Sequence, residues 1–144
     1  MSLTVRQRAT LRAAMDRIVP ADAPSSAEAW PSASQAGVEG YFSKQFDSDL
    51  KPLLALYAAA LDAIDAEARA VYSSGFAELL EEQQDELLRK IERGETDALW
   101  PEPSNVFFQR LVNHVMEGYY GDSGNGGNRD QVSWKMIGFE GRRS

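Results

Sequence analysis

The stretch Asp49-Leu-Lys-Pro-Leu-Leu-Ala-Leu-Tyr-Ala-Ala-Ala-Leu-Asp-Ala-Ile-Asp-Ala-Glu-Ala-Arg-Ala-Val71 decides the fold class. Leu50, Leu53, Leu54, Tyr57, Leu61, Ile64, Ala68 and Val71 recur by threes and fours, which lays an apolar stripe along a helix about six turns long. Asp49 stands at the N-cap position, and Pro52 is tolerated in a first turn. A stripe of this length needs partners, and the flanking sequence supplies further helices.

Upstream, Thr4-Val-Arg-Gln7 matches a capping box, after which Ala9, Leu11, Met15, Ile18 and Val19 keep helical spacing up to Pro20. Residues 21–31 are rich in Ala, Ser and Pro, and read as a surface loop pinned by Trp30. Ser34 is placed to cap a short helix carrying Val38, Tyr41, Phe42 and Phe46 on one face, ending near Asp47. Downstream, Ser73-Ser-Gly75 interrupts the long helix. A further helix then runs through Leu87, Leu88 and Ile91 to a C-terminal Gly94. After Pro101 and Pro103, Ser104 is placed to cap a last helix whose Phe108, Leu111, Val112, Val115 and Tyr119 share a narrow arc. Only 131–139 offers a short alternative to helix, so the expectation is an all-α fold: one domain, 1–144, built as an irregular bundle of five or six helices.

The chain has 144 residues, 43% of them hydrophobic and 26% charged, and it can bury one core. No apolar run reaches the ~20 residues of a membrane-spanning helix. Without cysteine, disulfides, thiolate nucleophiles and Cys-ligated zinc are excluded. A net charge of −7 argues against nonspecific nucleic-acid binding. Residues 62–102 hold twelve acids against four bases, which reads as a solvated helical face. The start shows no apolar signal core, and Met1-Ser2-Leu3 reads equally well as a cloning leader.

The chain's ending is its least ordinary part. Six of the eleven glycines fall within 118–138, with Asn125 and Asn128 among them, so several positions there call for positive φ. Trp134, Ile137 and Phe139 need burial, so 118–141 is read as an ordered Gly/Asn-rich loop folded onto the body. The order helix-then-glycines and the absence of GxxxxGK[ST] or GxGxxG reject a phosphate cradle. Asp122, Asn125, Asn128 and Asp130 are oxygen ligands in type, but the EF-hand positions counted from Asp122 fall on Gly124, Gly126 and Ser133. Turn formation by the Asx side chains accounts for them better.

His114 is the only histidine, which excludes a two-histidine metal site within one chain. With Arg110 at i−4 and Glu117 at i+3, a local hydrogen bond on its own helix or a partly buried structural imidazole is the expectation. Tyr41, Tyr57 and Tyr119 fit core stripes; Tyr120 points off its stripe.

Over nearly its whole length the chain resembles the gluconate 2-dehydrogenase subunit 3 family, the small gamma subunits of bacterial flavin-cytochrome sugar and polyol dehydrogenases. The residues that carry the likeness are Leu11, Ile18-Val19-Pro20-Ala21-Asp22, Pro31-Ser-Ala33, Ala36-Gly37-Val38, Phe76 and Leu87-Leu88. Above all they are Phe108 to His114, Glu117-Gly118-Tyr-Tyr, Asp122, Gly126-Gly-Asn-Arg-Asp130 and Trp134-Lys-Met-Ile-Gly-Phe139. Asp122-Ser-Gly-Asn125 departs from the family's Asp-Pro-x-Tyr, and Ser32 stands where glycine is usual.

The resemblance implies an accessory subunit, not an enzyme on its own, that binds and stabilises a glucose-methanol-choline-type flavoprotein. FAD would sit in that large subunit and haem c in a cytochrome subunit, with no cofactor and no metal in this chain. It also implies a periplasmic location if a twin-arginine presequence has been trimmed; as written, the start is compatible with the cytoplasm. Tyr120, Asn128, Arg129 and Trp134 are the candidate partner contacts, since aromatics and arginine anchor interfaces. Two other readings stand beside this one. One is a stand-alone ligand-binding or hydrolytic protein with a pocket at His114, Tyr120, Asp122 and Asn128; the other is a homodimer closed around Trp134.

Overall fold

The computed structural model describes residues 3–21 and 31–120. Among these residues the chain is all-α: α1 (Val5–Ile18), α2 (Val38–Phe46), α3 (Leu54–Tyr72), α4 (Glu81–Glu92) and α5 (Ser104–Tyr120), with short 3-10 turns at Lys51–Leu53 and Phe76–Glu78. The loop around Trp30 and the ending beyond Tyr120 lie outside the described residues.

The capping box of α1 forms in full. Thr4 Oγ1 accepts from the Gln7 amide at 3.0 Å, and Gln7 Oε1 accepts from the Thr4 amide at 2.9 Å, satisfying two N–H groups that the helix cannot. Gln7 also donates to Asp62 at 3.1 Å, which ties α1 to α3. At the far end of α1, Arg17 donates to both oxygens of Asp85 at 2.8 and 3.1 Å, a bidentate link to α4. Helix α1 thus lies against α3 and α4, while α5 packs on α4, α2 and α1.

Three helix starts differ from the sequence reading. The N-cap of helix α2 is Gly37, which takes φ 86°, and not Ser34. Ser34 is committed elsewhere: its amide and hydroxyl donate to the two oxygens of Asp16 at 2.8 and 2.6 Å. The left-handed conformation that turns the chain into α2 is one that glycine adopts without strain. Asp49 does not cap α3 either. Pro52 sits in the 3-10 turn, and α3 starts at Leu54 with no side-chain cap. Ser104 is the first residue of α5, not its cap; buried, it donates its hydroxyl to the Ile91 carbonyl at 3.0 Å, and the Pro103 carbonyl receives the Phe107 amide.

The apolar stripe of α3 is buried from Tyr57 to Ala68, but Val71 is 49% exposed because the last turn of the helix runs past the core. Ser73 closes that helix at φ 63°, its amide bonding to the Arg69 carbonyl. Gly94 ends α4 at φ 77°, as the sequence suggests. One core joins all five helices, with Phe42, Phe46, Tyr57, Phe76, Phe107 and Tyr119 as its largest fully buried side chains.

Candidate functional site

At the C-terminal end of α5 the helix comes very close to α2. A β-carbon on Gly118 would stand 2.8 and 2.9 Å from Tyr41 ring carbons and 3.0 Å from Val38 Cγ1, so only a glycine admits this contact. The Tyr41 hydroxyl donates to Glu117 Oε1 at 2.7 Å. Burial and the carboxylate beside it push that phenol well above its ordinary pKa. One residue further on, the Tyr119 hydroxyl donates to the Pro31 carbonyl at 2.7 Å, and the Ala33 amide donates to the Val19 carbonyl at 2.9 Å.

These bonds gather Val19, Pro31, Ala33, Val38, Gly118 and Tyr119 at one end of the bundle. All six belong to the motifs that carry the family resemblance. The same bonds place the return of the chain at Pro31 beside its departure at Tyr120. Tyr120 is half-buried at the rim, its ring 5.1 Å from that of Tyr119 and nearly perpendicular to it. It is the one candidate contact residue that the structure describes; Asp122, Asn128, Arg129 and Trp134 lie outside the described residues.

His114 sits midway along α5 in an aromatic cluster. Its Nδ1 hydrogen-bonds to the Tyr57 hydroxyl at 2.5 Å, and the Phe42 ring meets it edge-on. Burial lowers the imidazole pKa, with Glu117 opposing that shift and Arg110 adding to it. Burial likewise raises the Tyr57 phenol well above its usual range. Arg110 itself pairs bidentately with Glu102 at 3.0 and 2.9 Å, a bond that raises the guanidinium pKa further. His114 is therefore a packed, hydrogen-bonded histidine whose partner comes from α3, not from its own helix.

An open depression of about 680 Å³ runs along the outer side of α5, past Asn105, Gln109, Arg110, Asn113, His114 and Glu117. Tyr120 is not among its lining residues. Six residues along a helix rotate by roughly 120° from the starting face and rise about 9 Å, so α5 turns His114 and Tyr120 toward different surroundings. Among the described residues no three His, Asp or Glu side chains are grouped to hold a metal ion.

Two buried carboxylates escaped the sequence reading. Glu67, 4% exposed, accepts from the Asp97 amide at 3.0 Å, the Ala98 amide at 2.8 Å and Trp100 Nε1 at 3.0 Å. Asp65, 7% exposed, accepts from the Phe76 amide at 2.9 Å and from Arg69 Nε at 3.0 Å. By composition both belong to the acidic middle of the chain, 62–102. The signal was their spacing: 61, 64, 65 and 68, and likewise 60, 64 and 67, follow the i, i+3, i+4 rule that defines the buried side of α3.

Fold and site together define a small all-α protein whose described polar groups hold helices and turns in place. The family model described as gluconate 2-dehydrogenase subunit 3 matches residues 5–141, and the chain belongs to that family. Its family is thus that of an accessory subunit of a dehydrogenase complex. No curated protein and no solved structure matches the chain.

Proposed function

We propose that this chain is a non-catalytic small subunit that binds and stabilises a flavin-dependent sugar or polyol dehydrogenase of the glucose-methanol-choline type. The large subunit holds the FAD and carries out the oxidation, and a c-type cytochrome subunit takes the electrons onward. The assembled pair is exported, so the working location is the periplasm. The observation that carries this reading is the family match over 5–141. The convergence of the resemblance motifs at the Pro31 and Tyr120 end supports it: that end, with Tyr120 at its rim, is the docking face of this reading, and aromatics and arginine are the favoured anchors of interfaces.

The test is co-expression of the chain with its cognate flavoprotein, followed by purification through a tag on the small subunit alone. A yellow complex with flavin absorbance is the expected product. A colourless monomer, obtained while the flavoprotein is soluble in the same lysate, overturns the reading.

A further inference from the structure

Aromatic rings packed edge-on in a helical core ordinarily do no more than fill it. In this core three of them are of the oxidisable kinds, and each has its polar hydrogen-bearing atom bonded to a base. The Trp100 indole N–H donates to Glu67 at 3.0 Å, the Tyr57 hydroxyl shares a hydrogen bond of 2.5 Å with His114 Nδ1, and the Tyr41 hydroxyl donates to Glu117 at 2.7 Å. A tryptophan or tyrosine that gives up one electron becomes a strong acid. A core that cannot hold an unpaired positive charge lets that electron go only if the proton has an acceptor within hydrogen-bond reach.

Other rings join the three. Phe107 lies 6.1 Å from Trp100 and 5.1 Å from Tyr57 between centroids, and Phe42 lies 5.7 Å from Tyr57 and 5.6 Å from Tyr41. Electron tunnelling falls off steeply with distance, so a run of adjoining rings favours it over a single long jump. Trp100 and Tyr41, which end the run, are partly buried, whereas Tyr57 at its middle is fully buried. The run thus starts and finishes within reach of solvent and passes through the core.

We propose that Trp100, Tyr57 and Tyr41 form a relay that carries a one-electron oxidation through the core to Tyr41, where a soluble reductant discharges it. The oxidant is an oxygen-derived radical such as hydroxyl or carbonate radical; the final reductant is a thiolate or ascorbate. The oxidant takes one electron from Trp100, and the indole proton moves to Glu67. Tyr57 then returns an electron to the indole, which recovers its proton from Glu67, while the Tyr57 proton passes to His114 in the tautomer whose Nδ1 carries no hydrogen. Tyr41 next reduces the Tyr57 radical, giving its own proton to Glu117 as His114 hands back the one it held. The reductant supplies the last electron to Tyr41, and Glu117 returns the proton. The relay lies wholly within this chain and spares the oxidised indole from irreversible attack by oxygen.

The experiment uses azidyl radicals from pulse radiolysis, which oxidise tryptophan first, on the full chain carrying Trp30→Phe and Trp134→Phe, so that Trp100 is the only tryptophan left. The visible tryptophanyl absorption is expected to decay into the tyrosyl band in a first-order step independent of protein concentration. Tyr57→Phe should remove that step. His114→Gln keeps an acceptor for the hydroxyl but not a base, and is expected to slow the step at least about tenfold. Tyr41→Phe should leave the radical on buried Tyr57, where added ascorbate quenches it more slowly. Melting temperatures identify any variant that has lost its fold; if the two-tryptophan background has, the fast phase is read as the difference between the wild type and Trp100→Phe. An unchanged rate in folded Tyr57→Phe or His114→Gln overturns the relay, as does a rate that scales with protein concentration. Unchanged quenching in Tyr41→Phe overturns it as well, because the oxidation would then not reach Tyr41.

Discussion

The Tyr57 phenol and the His114 imidazole meet across the α3–α5 contact, hydroxyl against Nδ1, inside a cluster of aromatic rings. Burial favours the neutral form of each group. A neutral phenol beside a neutral imidazole shares one hydrogen bond with Nδ1, its donor set by the tautomer of the ring. The pair closes a polar gap in an aromatic cluster and ties α3 to α5 through their side chains.

The pH dependence of stability follows from that pair. The folded-state pKa of His114 lies below its ordinary value of 6.5. As pH falls below that value, the unfolded chain takes up a proton that the folded chain refuses, so unfolding gains ground. The contribution of His114 is complete above the ordinary histidine range and is lost as pH drops through it toward the lower folded value. Melting temperatures measured from pH 8 to 5 should fall in that window for the wild type. His114→Phe should flatten this part of the curve, leaving the carboxylate-driven loss at lower pH in place.

Removing only the hydroxyl isolates the hydrogen bond. Tyr57→Phe keeps the ring among Phe42, Phe46 and Phe107 but leaves Nδ1 of His114 without its partner. The expected cost is about 1–2 kcal/mol, read from denaturant unfolding at pH 7.5. A loss of fold, or no change at all, would contradict the assignment of a stabilising hydrogen bond to this pair.

The helices were legible from spacing alone, because an amphipathic arc is a property of neighbours in sequence. Leu61, Ile64 and Ala68 of α3, and Leu111, Val112 and Val115 of α5, are buried where their periodicity put them. Helix starts were less legible, since Ser34 and Ser104 are good caps by residue type but spend their hydroxyls on Asp16 and on the Ile91 carbonyl. Such long-range bonds leave no local trace. At the candidate site, Glu117-Gly118-Tyr-Tyr could be recognised as a motif, yet the reason for Gly118, the Tyr41 ring, lies on another helix. Glu67 was legible in principle, for it falls on the buried arc of α3, but its partners at Asp97, Ala98 and Trp100 are some thirty residues away.

Glu67 should therefore be a large contributor to stability despite being an acid on a helix. Glu67→Ala strips three N–H donors of their acceptor and is expected to cost about 2–4 kcal/mol. Amide hydrogen exchange locates the damage: Asp97 and Ala98 should exchange much faster in the variant, whereas the amides of α1 should change only as far as global stability changes. Uniform acceleration across the chain would show that Glu67 does not act through this turn.

Two glycines, one on α2 and one on α5, should respond to alanine in opposite directions. Gly40, inside α2, has open space where a β-carbon would go. Gly40→Ala there lowers the entropy of the unfolded chain and improves helix propensity, so a gain of about 0.5–1 kcal/mol is expected. Gly118→Ala would drive its methyl into the Tyr41 ring, which is held by Phe42 at 5.6 Å between centroids and by the bond to Glu117 at 2.7 Å. The helices must then separate or the ring must leave its place, at a cost of about 1–3 kcal/mol. A double-mutant cycle decides whether the Tyr41 ring is the cause: in a Tyr41→Ala background most of the Gly118→Ala penalty should vanish, leaving the part due to Val38 Cγ1 at 3.0 Å. Full additivity of the two changes would mean that the close approach of α2 and α5 is not what requires glycine at this position.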